Sequence, residues 1–267
     1  MVGTFAILNL TRDSFSDGGR YLLPEPALAH AERLLAAGAN VLDVGAESTH
    51  PDAEAVAADE EIRRLQPVVT ALRAAGCAVS VDTCKPDVMA AMLACGVDWL
   101  NDVRGFRSPA AMAVVASAPG NVRFVAMCAR SDGPRADRAD HDPATVVADV
   151  RAFFAERAAA FAAVGVGRDR LVLDPGMGFF LGRDPANSLR VLRQLAELGR
   201  DCGPLLVSVS RKSFLGAVTG ADVQGRGAAT LAAELWAARA GAAWIRTHDV
   251  RALRDALLVE RAIAEQP

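Results

Sequence analysis

The stretch Ala78-Val-Ser-Val-Asp-Thr-Cys-Lys-Pro86 contains the unit from which the fold is inferred. Residues 78–81 are mostly apolar and predict a short buried strand, and Asp82 follows where that strand ends. Pro86 suits the first turn of a helix, because the N–H that proline lacks is not needed there. The predicted helix ends before Gly96. The stretch therefore predicts a strand–helix unit with a carboxylate at the end of the strand.

The same unit recurs along the whole chain. Strands are predicted at residues 5–10, 41–44, 78–81, 99–103, 122–127, 171–173, 205–209 and 243–246. Helices are predicted at residues 26–37, 59–75, 86–95, 109–117, 144–164, 185–198, 227–240 and 250–264. The strands are almost continuously apolar, as strands buried on both faces are, and strict alternation favours a parallel sheet. Eight units favour closure, so we expect residues 1–267 to form a single-domain (β/α)8 TIM barrel.

Composition excludes several classes of function. The chain has 267 residues, 52% of them hydrophobic, and a net charge of −3 without a basic stripe, so we expect no nucleic-acid partner. No apolar run approaches the roughly 20 residues that cross a bilayer, and no secretory signal is visible. The five cysteines are odd in number and contain no C-x-x-C pair. We therefore expect free thiols in a cytoplasmic protein without a membrane partner.

Polar residues recur where the predicted strands end. In a barrel these ends meet on one face, where active sites lie. A strand-end carboxylate taken alone is more often a cap or an ion-pair partner, so the argument rests on the whole set. The set comprises Asn9, Thr11, Arg12, Asp13, Ser14, Glu47, Ser48, Thr49, His50, Asp82, Asn101, Asp102, Asp174, Ser210, Arg211, Lys212, Ser213, Arg246, Thr247, His248 and Asp249.

The chemistry of this set indicates its ligand. The carboxylates of Asp82 and Asp174 can each accept two parallel N–H bonds from a flat, guanidine-like edge. Lys212, Arg246 and His248 can donate to anionic oxygen, and the guanidinium group suits phosphate geometry. The sequence therefore predicts a cavity that binds a heterocycle at an acidic end and phosphate at a cationic end.

Several motifs resemble those of the dihydropteroate synthase family. Asn9-Leu-Thr-Arg-Asp-Ser-Phe-Ser-Asp-Gly-Gly19 is similar to the first family signature, and Asp43-Val-Gly-Ala-Glu-Ser-Thr-His-Pro51 to the second. The later blocks are Ser80-Val-Asp-Thr-Cys-Lys-Pro86, Asn101-Asp102, Leu173-Asp-Pro-Gly-Met-Gly178, Val209-Ser-Arg-Lys-Ser213 and Ile245-Arg-Thr-His-Asp249. Their order and spacing cover almost the whole chain.

The resemblance implies a reaction and a set of roles. The family joins 6-hydroxymethyl-7,8-dihydropterin diphosphate to 4-aminobenzoate in an S_N1-like reaction that releases pyrophosphate and uses Mg²⁺. It implies catalytic roles for Lys212, Asp82, Asp174, Arg246 and His248. Asp82, Asn101, Asp174 and Lys212 match the pterin-binding positions. Asn9, Arg246 and His248 match the pyrophosphate site, with Asn9 near Mg²⁺, while Thr49, Ser213 and Phe179 match positions near the aminobenzoate.

The chain departs from the family pattern at three places. His50 stands where the family has an arginine, and its charge depends on pH. Cys128 stands where a histidine is usual, and we expect it to be a buried, inert thiol. The segment Gly178-Phe-Phe-Leu-Gly182 replaces a shorter, lysine-containing one and resembles the mobile sulfonamide-resistance group of the family. Bulk at Phe179 and Phe180 predicts an enzyme that accepts 4-aminobenzoate and rejects sulfonamides.

Two alternatives keep the barrel and change the function. Related barrels transfer a methyl group from methyltetrahydrofolate to a corrinoid protein, but they need no pyrophosphate site, so Arg246 and His248 argue against this reading. The other alternative is a non-catalytic pterin-binding relative, left inactive by the departures at His50 and Cys128. The resemblance also implies a homodimer formed through the last helices, where Leu235 and Trp236 are candidate contact residues.

Overall fold

The computed structural model describes residues 2–10, 24–48, 53–130, 136 and 139–266. In these residues strands and helices alternate along the chain. The strands are β1 Gly3–Asn9, β2 Val41–Gly45, β3 Val79–Asp82, β4 Trp99–Asp102, β5 Arg123–Met127, β6 Leu171–Asp174, β7 Leu206–Val207 and β8 Trp244–Thr247. The helices are α1 Pro24–Ala36, α2 Ala58–Ala74, α3 Pro86–Ala94, α4 Pro109–Ser117, α5 Val146–Ala163, α6 Pro185–Arg193, α7 Leu195–Cys202, α8 Ser213–Thr219, α9 Gly227–Arg239 and α10 Val250–Ala264.

The strands form one parallel eight-stranded sheet in the order β6-β5-β4-β3-β2-β1-β8-β7. The first strand therefore pairs with both the second and the last. The two outer strands, β6 and β7, meet through a parallel bridge between Leu173 and Leu205. The N–H of Leu173 also donates to the carbonyl of Pro204 at 3.1 Å. The sheet thus closes into the predicted barrel, and the pairing between neighbouring strands is shortest at this bridge.

An apolar layer fills the interior of the barrel near the amino ends of the strands, which is called the lower part of the barrel below. Phe5, Trp99 and Trp244 pack edge to face, with ring centroids 5.1–5.3 Å apart. Side chains two residues apart on a strand point to the same face, so the next interior position on each strand lies one level higher. The residues at that level are Ile7, Asp43, Ser80, Asn101, Met127, Asp174, Ser208 and Arg246. The interior therefore changes from apolar to mostly polar within one level.

The structure corrects three predicted elements. The helix predicted at 185–198 is two helices, because the chain turns at Gln194, which ends α6 and precedes α7. The strand predicted at 205–209 is reduced to Leu206–Val207, and Lys212 N–H donates to the Val209 carbonyl at 3.1 Å in the turn that follows. Helix α8 was not predicted; it ends at Gly220, whose φ of 74° favours glycine.

The helices cover the outer face of the barrel. Within the described ranges, none is both long and apolar enough to span a bilayer. All five cysteines fall inside those ranges, and each is a free thiol.

Candidate active site

A cavity of about 400 Å³ opens at the carboxyl ends of the strands. Its walls come from the ends of the first, third and eighth strands and from the segments that follow the second, fifth, sixth and seventh strands. The lining residues that matter for the chemistry are Asn9, Glu47, Ser48, Asp82, Phe179, Phe180, Ser210, Arg211, Lys212, Ser213, Arg226, Arg246 and His248. The structure therefore brings most members of the predicted set that lie within the described residues to one cavity.

The floor is built around the guanidinium group of Arg246. Its Nε donates to Asp43 Oδ2 at 2.5 Å, and its Nη2 donates to Asp82 Oδ2 at 2.7 Å. Asn101 Nδ2 donates to the same Asp43 oxygen at 3.3 Å. Burial alone would lower the pKa of Arg246, but the two carboxylates raise it above its ordinary value. Arg246, which was predicted to belong to the cationic end of the cavity, thus lies in hydrogen-bond contact with the two carboxylates of its acidic end.

The two predicted pterin carboxyl groups are less acidic than ordinary aspartates. Burial raises the pKa of Asp82 to about 7, although Arg246 lowers it in part. Burial also raises the pKa of Asp174 to about 6, opposed by the Gly176 N–H, which donates to Asp174 Oδ1 at 2.7 Å. Both groups lose their protons near neutral pH, where they become acceptors for a ligand with N–H donors.

Lys212 lies beside these carboxyl groups. Its Nζ is 5.0 Å from the centroid of the Phe180 ring, a cation–π contact. Burial lowers the pKa of Lys212 to about 8, helped by Arg246 and opposed by Asp174 and Asp82. The ammonium is therefore charged at neutral pH, and it loses its proton when the pH rises slightly above neutral.

His248 is neutral in the unliganded cavity. Burial, together with the charges of Arg211, Arg246 and Lys212, lowers its pKa to about 3. Its Nδ1 lies 2.9 Å from the Ser210 hydroxyl. Toward an anion, this residue therefore offers an N–H donor rather than a fixed positive charge.

Asn9 was predicted to lie near Mg²⁺. No group of three or more His, Cys, Asp or Glu side chains suited to a metal occurs in the part of the chain that the structure describes. The Asn9 side chain is exposed at the end of β1 and lines the cavity. A single neutral oxygen fits Mg²⁺ where the substrate supplies phosphate oxygens and water completes the shell. The residues present therefore fit an ion that arrives with a diphosphate.

The remaining predicted residues have different outcomes. Ser213 and Phe179 line the cavity, while Thr49 and His50 lie outside the described residues. Asn101 is buried beneath the cavity and reaches it only through the floor network. Cys128 is buried, and burial raises the pKa of its thiol to about 12, as expected for an inert thiol.

The segment that follows β6 requires a glycine at Gly176. Gly176 has a φ of 70°, and a Cβ added there would lie 2.1 Å from the carbonyl oxygen of Cys128. No side chain fits at that distance, so glycine lets the loop pass against the end of β5. This passage sets the direction of the 3₁₀ turn Gly178–Phe180, which carries both phenylalanines into the cavity wall.

The sequence reasoning missed Asp43 as a member of the site. This carboxylate is fully buried and accepts from Arg246 and Asn101, and its Oδ1 has no hydrogen-bond partner within the described ranges. A signal was available, because Asp43 is a charged residue inside the otherwise apolar β2 and shares the parity of Val41, an interior position. A buried charge inside a strand implies a partner across the barrel.

Comparison with known proteins identifies the family. A model described as "Pterin binding enzyme" matches residues 5–248. Dihydropteroate synthase type-2 of Escherichia coli is 50% identical over 262 residues, covering 98% of this chain and 96% of the relative. The chain belongs to the dihydropteroate synthase family. Among solved structures, the Xanthomonas albilineans dihydropteroate synthase with 4-aminobenzoic acid has a TM-score of 0.90 at 41% identity, covering 100% of this chain and 94% of that one.

The identities also order the chain within the dihydropteroate synthases. The type-3 synthase of Escherichia coli is 44% identical and covers 97% of this chain and 98% of its own length. The Neisseria meningitidis serogroup C synthase is 38% identical, covering 96% of this chain and 91% of its own length. The chain is thus more similar to the numbered types, in agreement with the predicted subgroup. Family membership makes the chain a transferase and disfavours the methyltransferase alternative.

The Arg246 network predicts a pH-dependent loss of stability. Changing Arg246→Met removes the guanidinium that pairs with the buried Asp43 and with Asp82, so we expect a loss of about 3–5 kcal/mol in the free energy of unfolding at pH 8. Without the guanidinium, which lowers it in part, the pKa of Asp82 rises further above its ordinary value. Protonation then favours the folded state as pH falls, and the loss should shrink at pH 5.5. Urea unfolding at the two pH values measures it.

The matched control removes all three charges together. The triple variant Arg246→Met, Asp43→Asn, Asp82→Asn should recover most of the lost stability at pH 8, because no buried charge is left unpaired. A loss in the single variant that stays constant or grows at pH 5.5 would contradict the assignment of these carboxyls to Arg246.

Proposed function

We propose that the chain condenses 6-hydroxymethyl-7,8-dihydropterin diphosphate with 4-aminobenzoate to give 7,8-dihydropteroate and pyrophosphate. The observation that carries the proposal is the convergence of Asp82, Lys212 and Arg246 on one cavity, with Asp174 close enough to act on both cations. A flat heterocycle with N–H donors and a multiply charged leaving group matches such a cavity. The solved relative from Xanthomonas albilineans in complex with 7,8-dihydropteroate, 38% identical at a TM-score of 0.86, supports the same product class.

The pterin is proposed to occupy the floor. Asp82 and Asp174, when ionised, accept from the amino group and ring N–H of the pterin, and the Asn101 amide completes the polar edge. Lys212, held over the Phe180 ring, donates to a pterin acceptor. The apolar layer beneath the floor keeps water from the heterocycle's inner edge.

The diphosphate is proposed to lie near the mouth. His248 donates an N–H there, and Arg246 and Lys212 place positive charge on its inner side. Asn9 would hold Mg²⁺ through its amide oxygen, and the ion would supply charge neutralisation for the departing pyrophosphate. These groups are fixed before reaction, so they need no reorganisation when the leaving-group charge develops.

The reaction breaks one C–O bond and forms one C–N bond. In the proposed S_N1-like step, the bond between the pterin methylene and the diphosphate oxygen breaks first and its electrons leave with the pyrophosphate. The carboxylates of Asp82 and Asp174 stabilise the resulting pterin cation. The amine of 4-aminobenzoate then attacks the methylene carbon and releases a proton. Ser213, Phe179 and Thr49 are proposed to position the aminobenzoate.

The first test is turnover itself, measured as pyrophosphate release from both substrates with Mg²⁺. We expect Lys212→Ala to lower this release by at least about 100-fold, because both the pterin contact and a nearby positive charge are lost. Lys212→Arg keeps the charge in a larger group and serves as the matched control, with partial activity expected. Full retention of activity by Lys212→Ala would refute the site assignment.

Pterin binding should tighten with rising pH. The pKa values of Asp82 and Asp174 are raised to about 7 and about 6, so both groups lose their protons between pH 5 and pH 7.5. The ionised forms are the acceptors, and we expect the affinity for 6-hydroxymethylpterin to rise by at least about tenfold over this interval. Calorimetric titration measures the affinity. Asp82→Asn should flatten the profile, and a flat profile in the parent chain would rule out carboxylate recognition.

We further propose that the enzyme is insensitive to sulfonamides, and the structure separates the two candidate residues. Phe180 is buried, 4% exposed, and its ring lies beneath the Lys212 ammonium, which supports a role beside the proposed pterin site. Phe179 is only partly buried and lines the cavity beside Ser213, where aminobenzoate is proposed to bind. A rigid ring there can clash with a sulfonyl substituent and still clear a flat carboxylate.

Removing the Phe179 ring should therefore restore inhibition. We expect Phe179→Ala to lower the sulfonamide inhibition constant by at least about tenfold while the KM for 4-aminobenzoate changes by less than about threefold. Phe179→Tyr keeps the ring and should keep the insensitivity. Steady-state inhibition kinetics decide the matter, and equal inhibition constants for the parent and Phe179→Ala would end the hypothesis.

We also propose a single domain, a homodimer and a cytoplasmic location. The domain proposal is supported by the pairing of β1 with β8, which ties the start of the barrel to its end. The dimer proposal is supported by exposed apolar side chains on the last two helices, Trp236, Val259 and Ile263. Leu235 of the predicted pair lies on the same helix as Trp236. Five free thiols suit the reducing cytoplasm.

A further inference from the structure

Three charged side chains from different parts of the chain meet beside the cavity. Glu47 lies two residues beyond β2, Glu61 lies in the first turn of α2, and Lys85 immediately precedes α3. The ammonium of Lys85 donates to a carboxylate oxygen of each glutamate. Lys85 is one of only two lysines in the chain, and the proposed reaction makes no use of it.

Burial makes Glu61 depend on Lys85. Glu61 is fully buried, and its Oε1 has no hydrogen-bond partner among the described residues. An ionised carboxylate in such a place needs a nearby opposite charge. Burial lowers the pKa of Lys85, but its hydrogen bonds to Glu47 and Glu61 outweigh that effect and raise it above its ordinary value. The lysine therefore stays charged and can serve both carboxylates at once.

Glu47 connects the Lys85–Glu61 pair to the wall of the cavity. Glu47 and Ser48 both line the cavity, whereas the pairing of β2 with β1 ends at Gly45 and Asn9. Beyond Gly45, the strand ladder no longer determines where the chain lies. Helix α2 makes a second contact with this segment, since Arg64 Nη1 donates to the Ala46 carbonyl at 3.3 Å.

We infer that Lys85 is a positioning residue for the second loop, the segment that follows β2, and that it holds Glu47 against Glu61 so that Ser48 faces 4-aminobenzoate. The inference rests on the proposed function. Lys85 is absent from the residues that line the cavity, so it acts through Glu47. The pterin side does not depend on it, because Asp82 is fixed by the pairing of β3 with β4 and by Arg246.

The test separates the two substrates. Glu47→Ala releases the segment and keeps the Lys85–Glu61 pair, so the fold is retained. We expect this variant to raise the KM for 4-aminobenzoate by about tenfold, with the KM for the pterin diphosphate unchanged within about twofold. Lys85→Met combined with Glu61→Gln removes the pair without leaving a buried charge, and the same shift is expected. The single substitution Lys85→Arg keeps the positive charge and should leave the KM for 4-aminobenzoate at the parent value.

A double-mutant cycle distinguishes positioning from direct contact. If Glu47 acts only where Lys85 holds it, adding Glu47→Ala to the Lys85→Met, Glu61→Gln variant should cause no further rise in KM. Additive effects, or a KM for 4-aminobenzoate that stays within twofold in both parents of the cycle, would overturn the inference. Equal rises in both KM values would also overturn it, because a general loss of structure affects both substrates.

The control is an ion pair at the other end of the same helix. Arg73, in the last turn of α2, pairs with Asp98 at 2.5 Å, and its side chain is 29% exposed, close to the 24% of Lys85. Arg73→Met should lower the melting temperature and leave both KM values unchanged. Pyrophosphate release by the unmodified chain is measured first. Its absence would refute the proposed function and, with it, this inference, whereas release by the parent with unshifted variants would refute the inference alone.

Discussion

The ion pairs that the Arg246 guanidinium forms with Asp43 and Asp82 are the interactions on which the rest of the site depends. Three charges inside a barrel would be costly if any of them lacked a partner, since each has given up its hydration. Together they convert the middle of an apolar barrel into a polar floor. The Asn101 amide joins them through Asp43, which links β2, β3, β4 and β8 around a single cation.

The apolar layer below gives that network its effect. Phe5, Trp99 and Trp244 fill the lower barrel edge to face, so the polar floor rests on side chains that admit little water. In such surroundings charges interact strongly and solvent screens them poorly. The raised pKa of Asp82 and the lowered pKa of Lys212 are two results of the same burial.

The functional charges therefore behave as one set. Arg246 lowers the pKa of Asp82, Asp174 raises that of Lys212, and both cations lower that of His248. A diphosphate entering the mouth would add negative charge and favour protonation of the groups around it. Substrate binding and the protonation of the site are consequently linked, although the groups come from strand ends far apart in sequence.

A buried ion pair recurs at the second loop, in a different role. Lys85 and Glu61 resemble the floor network in burial, but they hold the chain beyond the end of β2 and contribute no group to the cavity except through Glu47. In our proposal the strands fix the pterin side by register, while the aminobenzoate side relies on side chains from α2 and from the residue that precedes α3. The two halves of the cavity thus differ in how rigidly they are built.

The sequence by itself determined the barrel and most of the site. Apolar runs alternating with helical periods predicted eight strand–helix units, and polar residues at strand ends predicted a cavity containing Asp82, Lys212 and Arg246. These signals are local, because a strand's burial and its last residue are written in a few adjacent positions. The shortened β7 and the split at Gln194 escaped prediction because their ends depend on packing against neighbouring elements.

Only the tertiary structure decided which charges meet. Asp43 and Arg246 are 203 residues apart, and no local pattern indicates that closure of β1 onto β8 brings them to 2.5 Å. The neutral state of His248, the placement of Phe180 under Lys212 and the pairing of Lys85 with two glutamates are decided in the same way. Residue types come from the chain, whereas distances and desolvation, which set charge states, arise only when the barrel closes.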